Sequence, residues 1–379
     1  IIEYNKTNFS LKMKIPTSFY ETNAFLLTKN GPTLIEYASF YGSTQIFRYL
    51  FKNNVKLKNK LWLYAIHSDN SELISILEEN CPKPESFKEI WIEAVKCHHN
   101  SMANYFQDKY SIEICYKFFS FYNFSILRNN NINNDITLYY SCKYDYYNLC
   151  KILLNTTNIN INYYKSTWID EIDTIDIGKR IVNFEIKKRL LSEKTPFAAA
   201  CQNRNIGIIN LLLLNNKIDI NLPNVYVNKK KTITKKTPLY ISLINNDLDI
   251  VKILLSRPEI DVNFYQISAN VSQPALCIAI KQENIEINKL LLANPRIDVN
   301  IPEKSKKFSQ TPLYSAVELQ NIEIIKLLLS NQNIDVNINC KVSYDGDYIS
   351  QRTPLSLAVE LGRYDIVDLI LENDGADIN

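Results

Sequence analysis

Apolar residues recur along the chain at helical spacing, in pairs of short segments separated by a polar break. The stretch 237–263, TPLYISLINNDLDIVKILLSRPEIDVN, shows this pattern most fully. A short first segment carries Leu239 and Leu243, and a second carries Ile250 and Leu254 within a wider apolar surface. One helical hairpin cannot cover that surface alone, so the pattern predicts a hairpin that stacks on copies of itself.

Polar residues mark the ends of both predicted helices in this stretch. Thr237 is a predicted N-cap, followed by Pro238 in the first turn, where no amide hydrogen bond is needed. Asn245 and Asn246 tolerate the left-handed backbone that ends a helix, and Asp247 is the predicted N-cap of the second helix.

The same unit returns six times from Ile136 onward. The copies end at Asn162, Asn221, Asn263, Asn300, Asn337 and Asn379. Four of them open on a Thr-Pro pair, at Thr195, Thr237, Thr311 and Thr353. Five close on Asp-Ile-Asn or Asp-Val-Asn, beginning at Asp219, Asp261, Asp298, Asp335 and Asp377. Two motifs at a fixed separation five times over indicate a genuine repeat.

These motifs resemble those of ankyrin repeats over residues 136–379. The resemblance implies an all-α repeat fold, an ankyrin-type α-solenoid of stacked helical hairpins with protruding β-hairpin fingers. The sequence departs from the family pattern where Tyr240, Tyr314 and Ser356 replace the usual histidine, and the glycine of the helix turn survives only at Gly362. We therefore expect lower stability per repeat than in a consensus array.

The N-terminal third carries a degenerate form of the same rhythm. Alanines at 38, 65 and 94 mark three shortened hairpins without the Thr-Pro start or the Asp-Val-Asn close. This part resembles the ankyrin-like domain of unknown function that precedes ankyrin arrays in large protist families. We divide the chain into an N-terminal segment or cap (1–31), which is alternatively the remains of a preceding domain, degenerate ankyrin-like repeats (32–128) and an ankyrin array (129–379) with an insertion at 163–194.

Between the regular copies lie connections of variable length. Successive copies end at intervals of 59, 42, 37, 37 and 42 residues, whereas an ankyrin repeat usually has about 33. The excess falls in fingers at 222–236, 264–273, 301–310 and 338–352. Each is predicted to be an elongated β-hairpin, and Asp345-Gly346 suits a tight type I′ turn.

Lysine and aromatic residues concentrate in these fingers and make them the candidate contact surface. The candidate partner-binding residues are Tyr226, Lys229, Lys230, Lys231, Lys235, Lys236, Phe264, Tyr265, Lys304, Lys306, Lys307, Phe308, Tyr344 and Tyr348. One interpretation is that the lysines are solvated and keep exposed strand edges from aggregating. The other is that they contact a partner.

The insertion at 163–194 separates its charges along the chain. Asp170, Glu171 and Asp173 precede Gly178, and Lys187 and Lys188 follow it. A self-paired hairpin turning near Gly178 would bring opposite charges face to face across the strands. A partner-binding arm is the alternative interpretation.

Composition narrows the class of protein. The 379 residues are 46% hydrophobic and 22% charged, and no apolar run approaches the length of a membrane span. Eight cysteines scattered mostly within helical patterns are typical of reduced thiols, which predicts an intracellular, cytoplasmic protein. The net charge of +3 is too small to indicate nucleic-acid binding by itself. A start at Ile1 and an end on a repeat's last letter are consistent with a piece of a longer product.

Catalytic and metal motifs are missing from the sequence. His67, His98 and His99 are the only histidines, and Cys97-His98-His99 lies at a helix break too far along the chain from Cys81 and Cys115 for a known metal spacing. We expect a polar turn there, with no catalytic residue, metal or cofactor.

The sequence therefore predicts a non-enzymatic scaffold or adaptor. Its partner would be a protein with an acidic patch, bound on the concave and finger face, rather than a small-molecule substrate. The alternatives are nucleic-acid binding through the lysine-rich fingers and the targeting arm of an enzyme whose catalytic domain lies outside these residues. The apolar second helix of the last copy also predicts either end-to-end self-association or further residues in the natural protein that cover this helix.

Overall fold

The chain divides into two units, Ile1–Ile132 and Asn133–Asn379. The computed structural model describes residues 11–15, 26, 31–113, 116–129, 133–156, 158–177, 180–229, 231–267, 271–344, 348–373 and 375–377. Side chains are described for all of these except 117, 127–129, 168–177, 180–189, 267, 343–344 and 348–349.

Unit 1 contains three helical hairpins in its described residues. They are α1 (Leu34–Phe40) with α2 (Thr44–Lys52), α3 (Leu61–Ile66) with α4 (Ser71–Asn80), and α5 (Lys88–Lys96) with α6 (Asn100–Tyr110). Two 3-10 helices follow, Tyr116–Phe121 and Phe124–Asn129. Aromatic side chains fill the core, and Trp62, Trp91 and Phe106 are fully buried.

Unit 2 contains six further hairpins among the described residues. They are α7 (Asn134–Lys143) with α8 (Tyr147–Leu154), α9 (Pro196–Gln202) with α10 (Ile206–Leu213), α11 (Pro238–Ile244) with α12 (Leu248–Leu255), α13 (Ala275–Lys281) with α14 (Ile285–Leu292), α15 (Pro312–Glu318) with α16 (Ile322–Leu329), and α17 (Pro354–Glu360) with α18 (Tyr364–Leu371). Ile250, Val251 and Leu254 of α12 are fully buried in one apolar core that runs through all six hairpins, as the stacking prediction requires.

Each helical hairpin turns through a left-handed residue that stands four positions after a small buried one. In unit 2 the amide of Asp247 returns to the carbonyl of Ser242 at 2.9 Å, and the intervening Asn246 has φ of 54°. The small residues are Ala38, Ala65, Ala94, Ser141, Ala200, Ser242, Ala279, Ala316 and Ala358. The left-handed ones are Gly42, Asp69, His98, Asp145, Arg204, Asn246, Glu283, Gln320 and Gly362. Most of these left-handed residues are not glycine, and a residue with a side chain adopts this backbone conformation at a cost in free energy.

Helix capping follows the sequence predictions with one correction. The Thr237 hydroxyl accepts the Tyr240 amide at 3.2 Å, and the other three Thr-Pro starts are capped in the same way. Asp247 accepts the Ile250 amide at 3.4 Å. Asn245, however, stays in the right-handed helical region, so Asn246 alone makes the left-handed turn.

The fingers are not isolated hairpins, because they pair side by side into one antiparallel sheet. In the part of unit 2 that the structure describes, ten strands follow in chain order: β1 (Lys165–Ile177), β2 (Arg180–Lys194), β3 (Asn224–Val227), β4 (Ile233–Lys236), β5 (Tyr265–Ile267), β6 (Val271–Pro274), β7 (Glu303–Ser305), β8 (Ser309–Gln310), β9 (Cys340–Tyr344) and β10 (Tyr348–Arg352). The prediction of an all-α fold is therefore incomplete, since unit 2 couples helical hairpins to a continuous sheet.

The insertion forms the first hairpin of that sheet. β1 pairs with β2, and the backbone register sets Asp170 opposite Lys188 and Glu171 opposite Lys187. This confirms the predicted self-paired hairpin, although its turn at Gly178 lies outside the described residues, as does the predicted turn at Asp345-Gly346.

The closing asparagine of each of the first five repeats bridges to the next repeat. Asn263 Nδ2 donates to the Arg296 carbonyl at 2.7 Å, and its Oδ1 accepts the Asp298 amide at 2.9 Å. Asn162, Asn221, Asn300 and Asn337 make the same two bonds. Within four of the motifs the aspartate accepts the amide two residues on, as Asp261 does from Asn263 at 3.0 Å; the other three are Asp219, Asp298 and Asp335. The closing motifs of successive repeats thus form a ladder of asparagine hydrogen bonds along unit 2, hereafter the asparagine ladder.

Candidate partner-binding surface

One face of the sheet packs toward the N-termini of the first helices. Asn224, Glu303 and Cys340 are buried on this face. Asn224 Oδ1 accepts the amide of the N-cap residue Thr195 at 3.0 Å, and Cys340 Sγ accepts the amide of Thr311 at 3.3 Å. Successive side chains of a strand alternate between faces, so residues one position along these strands point away from the helices.

The opposite face carries a row of lysines. Strand register places the following residues directly side by side across the sheet: Glu193, Val225, Lys235, Ile267, Ser272, Lys304, Ser309, Lys341 and Gln351. Lys235, Lys304 and Lys341 of this set, hereafter the lysine row, are all exposed. With strands about 4.8 Å apart, Lys235 lies about 14 Å from Lys304 and Lys304 about 10 Å from Lys341.

More lysines stand at the finger tips beyond this row. Lys229 and Lys231 are exposed at the turn after β3, where Lys231 is left-handed with φ of 59°. Lys306 and Lys307 are exposed at the turn after β7, where Ser305 Oγ accepts the Lys307 amide at 3.0 Å. Lys230 lies outside the described residues. The second finger, β5 with β6, separates these two basic tips.

The predicted aromatic contacts are distributed differently from the lysine row. Tyr226 lies on the helix-facing side, where the ammonium groups of Lys194 and Lys236 each lie 5.4 Å from its ring centroid. Lys236 also lies 5.8 Å from the Tyr240 ring, so its charge is held against aromatic faces. Burial raises the pKa of Tyr226.

The remaining aromatic candidates are partly covered or not described. Phe264, Tyr265 and Phe308 are half-buried. The backbone register sets Tyr344 opposite Tyr348, whose side chains lie outside the described residues. Ile233, in contrast, is 51% exposed on the same face as Lys235 and supplies apolar surface beside the lysine row.

Two features of this surface were missed in the sequence. Lys341 was not selected, although the alternation from Cys340 to Lys341 in β9 indicates one buried and one exposed position. The buried Glu303 was also missed: its carboxylate accepts from Lys281 Nζ at 2.5 Å and from Gln273 Nε2 at 2.8 Å. That network fixes the third finger to the end of α13 and thereby orients Lys304.

The histidines of unit 1 lie where a polar turn was expected. His99 Nδ1 is 2.8 Å from the Ile66 carbonyl oxygen, and His98 Nε2 is 3.1 Å from that of Phe121. Cys97 instead lies close to His67 and Glu93. Among the described residues, these three form the one group of three or more His, Cys, Asp or Glu residues whose potential metal-ligating atoms lie within 4.8 Å of one another. Within the part of the chain that the structure describes, no helix has the length and apolar character needed to cross a membrane.

Stacked helical hairpins with β-hairpin fingers between them define a repeat protein of the ankyrin class. A family model described as ankyrin repeats (3 copies) matches residues 169–266, 222–303 and 276–379, which together make up more than half of the chain. The chain belongs to the ankyrin repeat family, whose members are in general protein–protein interaction modules. No curated protein matches the chain.

Proposed function

We propose that the chain is a non-enzymatic adaptor that binds an acidic patch of a partner protein on the outward face of its finger sheet. The lysine row is the observation that carries the proposal. Three exposed ammonium groups on three different repeats share one register row, so their spacing is fixed by strand pairing rather than by flexible loops. The tip lysines extend the same basic surface.

Rigidity favours this surface as a binding site. Glu303 and Cys340, the inward-facing neighbours of Lys304 and Lys341, are buried and hydrogen-bonded, so these two lysines project from a backbone fixed on its other side. Beside Lys235, the buried and hydrogen-bonded Asn224 holds the paired strand β3, opposite Lys236. Binding of a partner therefore costs little backbone conformational entropy in this sheet. The exposed Ile233 would add apolar contact that salt does not weaken.

Selection from a randomised displayed-peptide library against the full chain tests which class of partner fits. We expect the selected peptides to be rich in Asp and Glu with one or two apolar residues, and to compete with one another for binding. A mixture without acidic enrichment would contradict the proposal. Tighter binding to a random-sequence DNA duplex than to any selected peptide, at equal salt, would favour the nucleic-acid alternative instead.

We propose further that a second copy covers the outer side of the last hairpin. Val359 is 62% and Tyr364 81% exposed there, and Leu361 and Leu371 are also exposed. Ile366 and Ile370, by contrast, are fully buried. The exposed set is therefore the apolar surface available for end-to-end contact.

Residues 32–128 are proposed to be three degenerate ankyrin units. The same pairing of a small buried residue with a left-handed turn four positions later recurs in units 1 and 2, as at Ala65 with Asp69 and at Ala200 with Arg204. An intracellular location is supported by the described cysteines, of which Cys81, Cys142, Cys150, Cys201, Cys277 and Cys340 are buried thiols.

A further inference from the structure

Three side chains of unit 1 form a chain of polar contacts between the second and third hairpin turns. His67 follows the last turn of α3, while Glu93 and Cys97 stand one helical turn apart at the end of α5. His67 Nδ1 lies 3.5 Å from Cys97 Sγ, and His67 Nε2 lies 3.1 Å from Glu93 Oε1. The Phe40 ring stacks on the imidazole at 4.7 Å and fixes its plane.

The position of the imidazole distinguishes this group from a metal centre. The ring stands between sulfur and carboxylate, with a different nitrogen facing each. A metal ion held by all three residues would need a single ring nitrogen directed at the ion that the sulfur and carboxylate also contact. The arrangement is instead a relay in which a carboxylate orients an imidazole toward a thiol.

A positively charged ring lies beside the thiol of Cys97. Burial lowers the pKa of His67, but the contacts with Cys97 and Glu93 outweigh burial and raise this pKa to about 9. The imidazole is therefore cationic near neutral pH, and a cation beside a thiol favours the thiolate. Lys96, 3.1 Å from Glu93 Oε1, adds a second positive charge, while Asp69 and His99 face each other at 3.9 Å in the neighbouring turns.

Cys97 also differs from the other described cysteines in its accessibility. It is partly exposed, whereas the remaining six are buried. Burial raises the pKa of Cys81 to about 11, which keeps that thiol protonated and unreactive. Cys97 thus combines an adjacent cation with access for a small reagent.

We propose that Cys97 is a reactive thiol and a site of oxidation by small peroxides. The thiolate sulfur attacks one peroxide oxygen, so an S–O bond forms and the O–O bond breaks. The leaving hydroxide takes the proton from His67 Nδ1 and departs as water, leaving a neutral imidazole. Cys97 is thereby oxidised to sulfenic acid and hydrogen peroxide is reduced to water. Glu93 acts as a positioning residue, since it holds the imidazole through Nε2.

The test treats the full chain with iodoacetamide, or with hydrogen peroxide followed by the sulfenic-acid reagent dimedone, and maps each cysteine by mass spectrometry. At pH 6.5 we expect Cys97 to be alkylated at least about tenfold faster than glutathione, with Cys81 nearly unlabelled. From pH 8 to 6.5 its rate should fall less than about threefold, whereas an ordinary thiol loses about tenfold per pH unit. A rate and pH profile equal to those of glutathione would overturn the proposal. The wild-type chain alone suffices for this measurement.

Variants test whether the reactivity of Cys97 depends on His67 and Glu93 or only on the exposure of the thiol. His67→Gln should lower the Cys97 rate about tenfold, and Glu93→Gln should lower it less. His98→Gln, an exposed histidine in the next turn, is the matched control and should change nothing. An unchanged rate in His67→Gln, with unchanged tryptophan fluorescence, would overturn the proposal. Stoichiometric Zn²⁺ binding that protects Cys97 from alkylation would also overturn it, by showing a metal site.

Discussion

Asn263 Oδ1 accepts the amide of Asp298 at 2.9 Å, so the last residue of one repeat holds the closing turn of the next. The side-chain amide of Asn263 also donates to the Arg296 carbonyl, and one residue thereby satisfies two backbone groups of its neighbour. Because five asparagines repeat this geometry, the ladder couples every pair of adjacent repeats from residue 162 to residue 377.

Replacement of Asn263 by Ala should lower the free energy of unfolding of unit 2 by about 1–2 kcal/mol, because two exposed hydrogen bonds are lost at once. Asn263→Asp should cost a similar amount, since a carboxylate keeps the acceptor but cannot donate to Arg296. Urea denaturation followed by far-UV circular dichroism measures the change. Asn294→Ala, which removes only the bond that Asn294 Oδ1 accepts from the Arg296 amide, is the matched control and should cost less.

Leu254→Ala tests whether the stack behaves as a coupled unit. The side chain is fully buried in the core of unit 2, so its truncation should cost roughly 2–5 kcal/mol. Hydrogen exchange should then rise in α9 to α14, on both sides of the mutated hairpin, and should leave unit 1 unchanged. Exchange that rises only in α11 and α12 would argue against coupling between repeats.

The His67 relay should make the stability of unit 1 depend on pH. The contacts raise the pKa of His67 in the folded state to about 9 from an ordinary value of 6.5. A raised folded pKa contributes stability that is fully present below pH 6.5 and is lost as the pH rises through 9. We expect His67→Gln to cost on the order of 1–3 kcal/mol at pH 6 and much less at pH 9.5.

Trp62 and Trp91 are buried in unit 1, so tryptophan fluorescence during urea unfolding reports this change. The groups facing His67 are Glu93, Cys97 and, through Glu93, Lys96. A penalty for His67→Gln that stays constant from pH 6 to 9.5 would show that the imidazole acts only by packing on Phe40.

End-to-end contact should depend on the exposed apolar side chains of the last hairpin. Val359→Asp combined with Tyr364→Asp should shift the full chain toward monomer in light scattering at rising concentration, because a charge on each side would be buried in the contact. Tyr147→Asp with Ile152→Asp, at exposed positions of α8, is the control and should leave association unchanged. A wild-type chain that stays monomeric at high concentration would contradict the proposed contact.

Helix positions and caps could be predicted from the sequence because they depend on local chemistry. Thr237 and Asp247 cap the helices that their neighbours form, and the Thr-Pro pairs fix the starts of four hairpins. The apolar period of LDIVKILLS likewise indicated the buried Leu254. These features need only residues a few positions apart, so a single sequence carries them.

The sheet and the lysine row depend on contacts between distant residues. Each finger was recognisable as a hairpin, but pairing between fingers, such as Lys235 opposite Ile267 and Ser309 opposite Lys341, joins segments more than 30 residues apart. Register across such gaps is set by how the repeats stack. The contact between His67 and Cys97 could not be predicted for the same reason, because the two residues are 30 positions apart. Only the local grouping Cys97-His98-His99 was visible in the sequence.

The association rate of a selected acidic peptide with three forms of the full chain tests the lysine row most directly. Lys235→Ser, Lys304→Ser and Lys341→Ser are combined in one variant, and Lys252→Ser, Lys289→Ser and Lys326→Ser in another. The second set removes the same charge from exposed, equivalent positions of α12, α14 and α16. At low salt we predict that the lysine-row variant binds about tenfold or more slowly, while the helix variant stays within about twofold of wild type, and that the gap closes at high salt. Equal rates for the two variants would contradict the account.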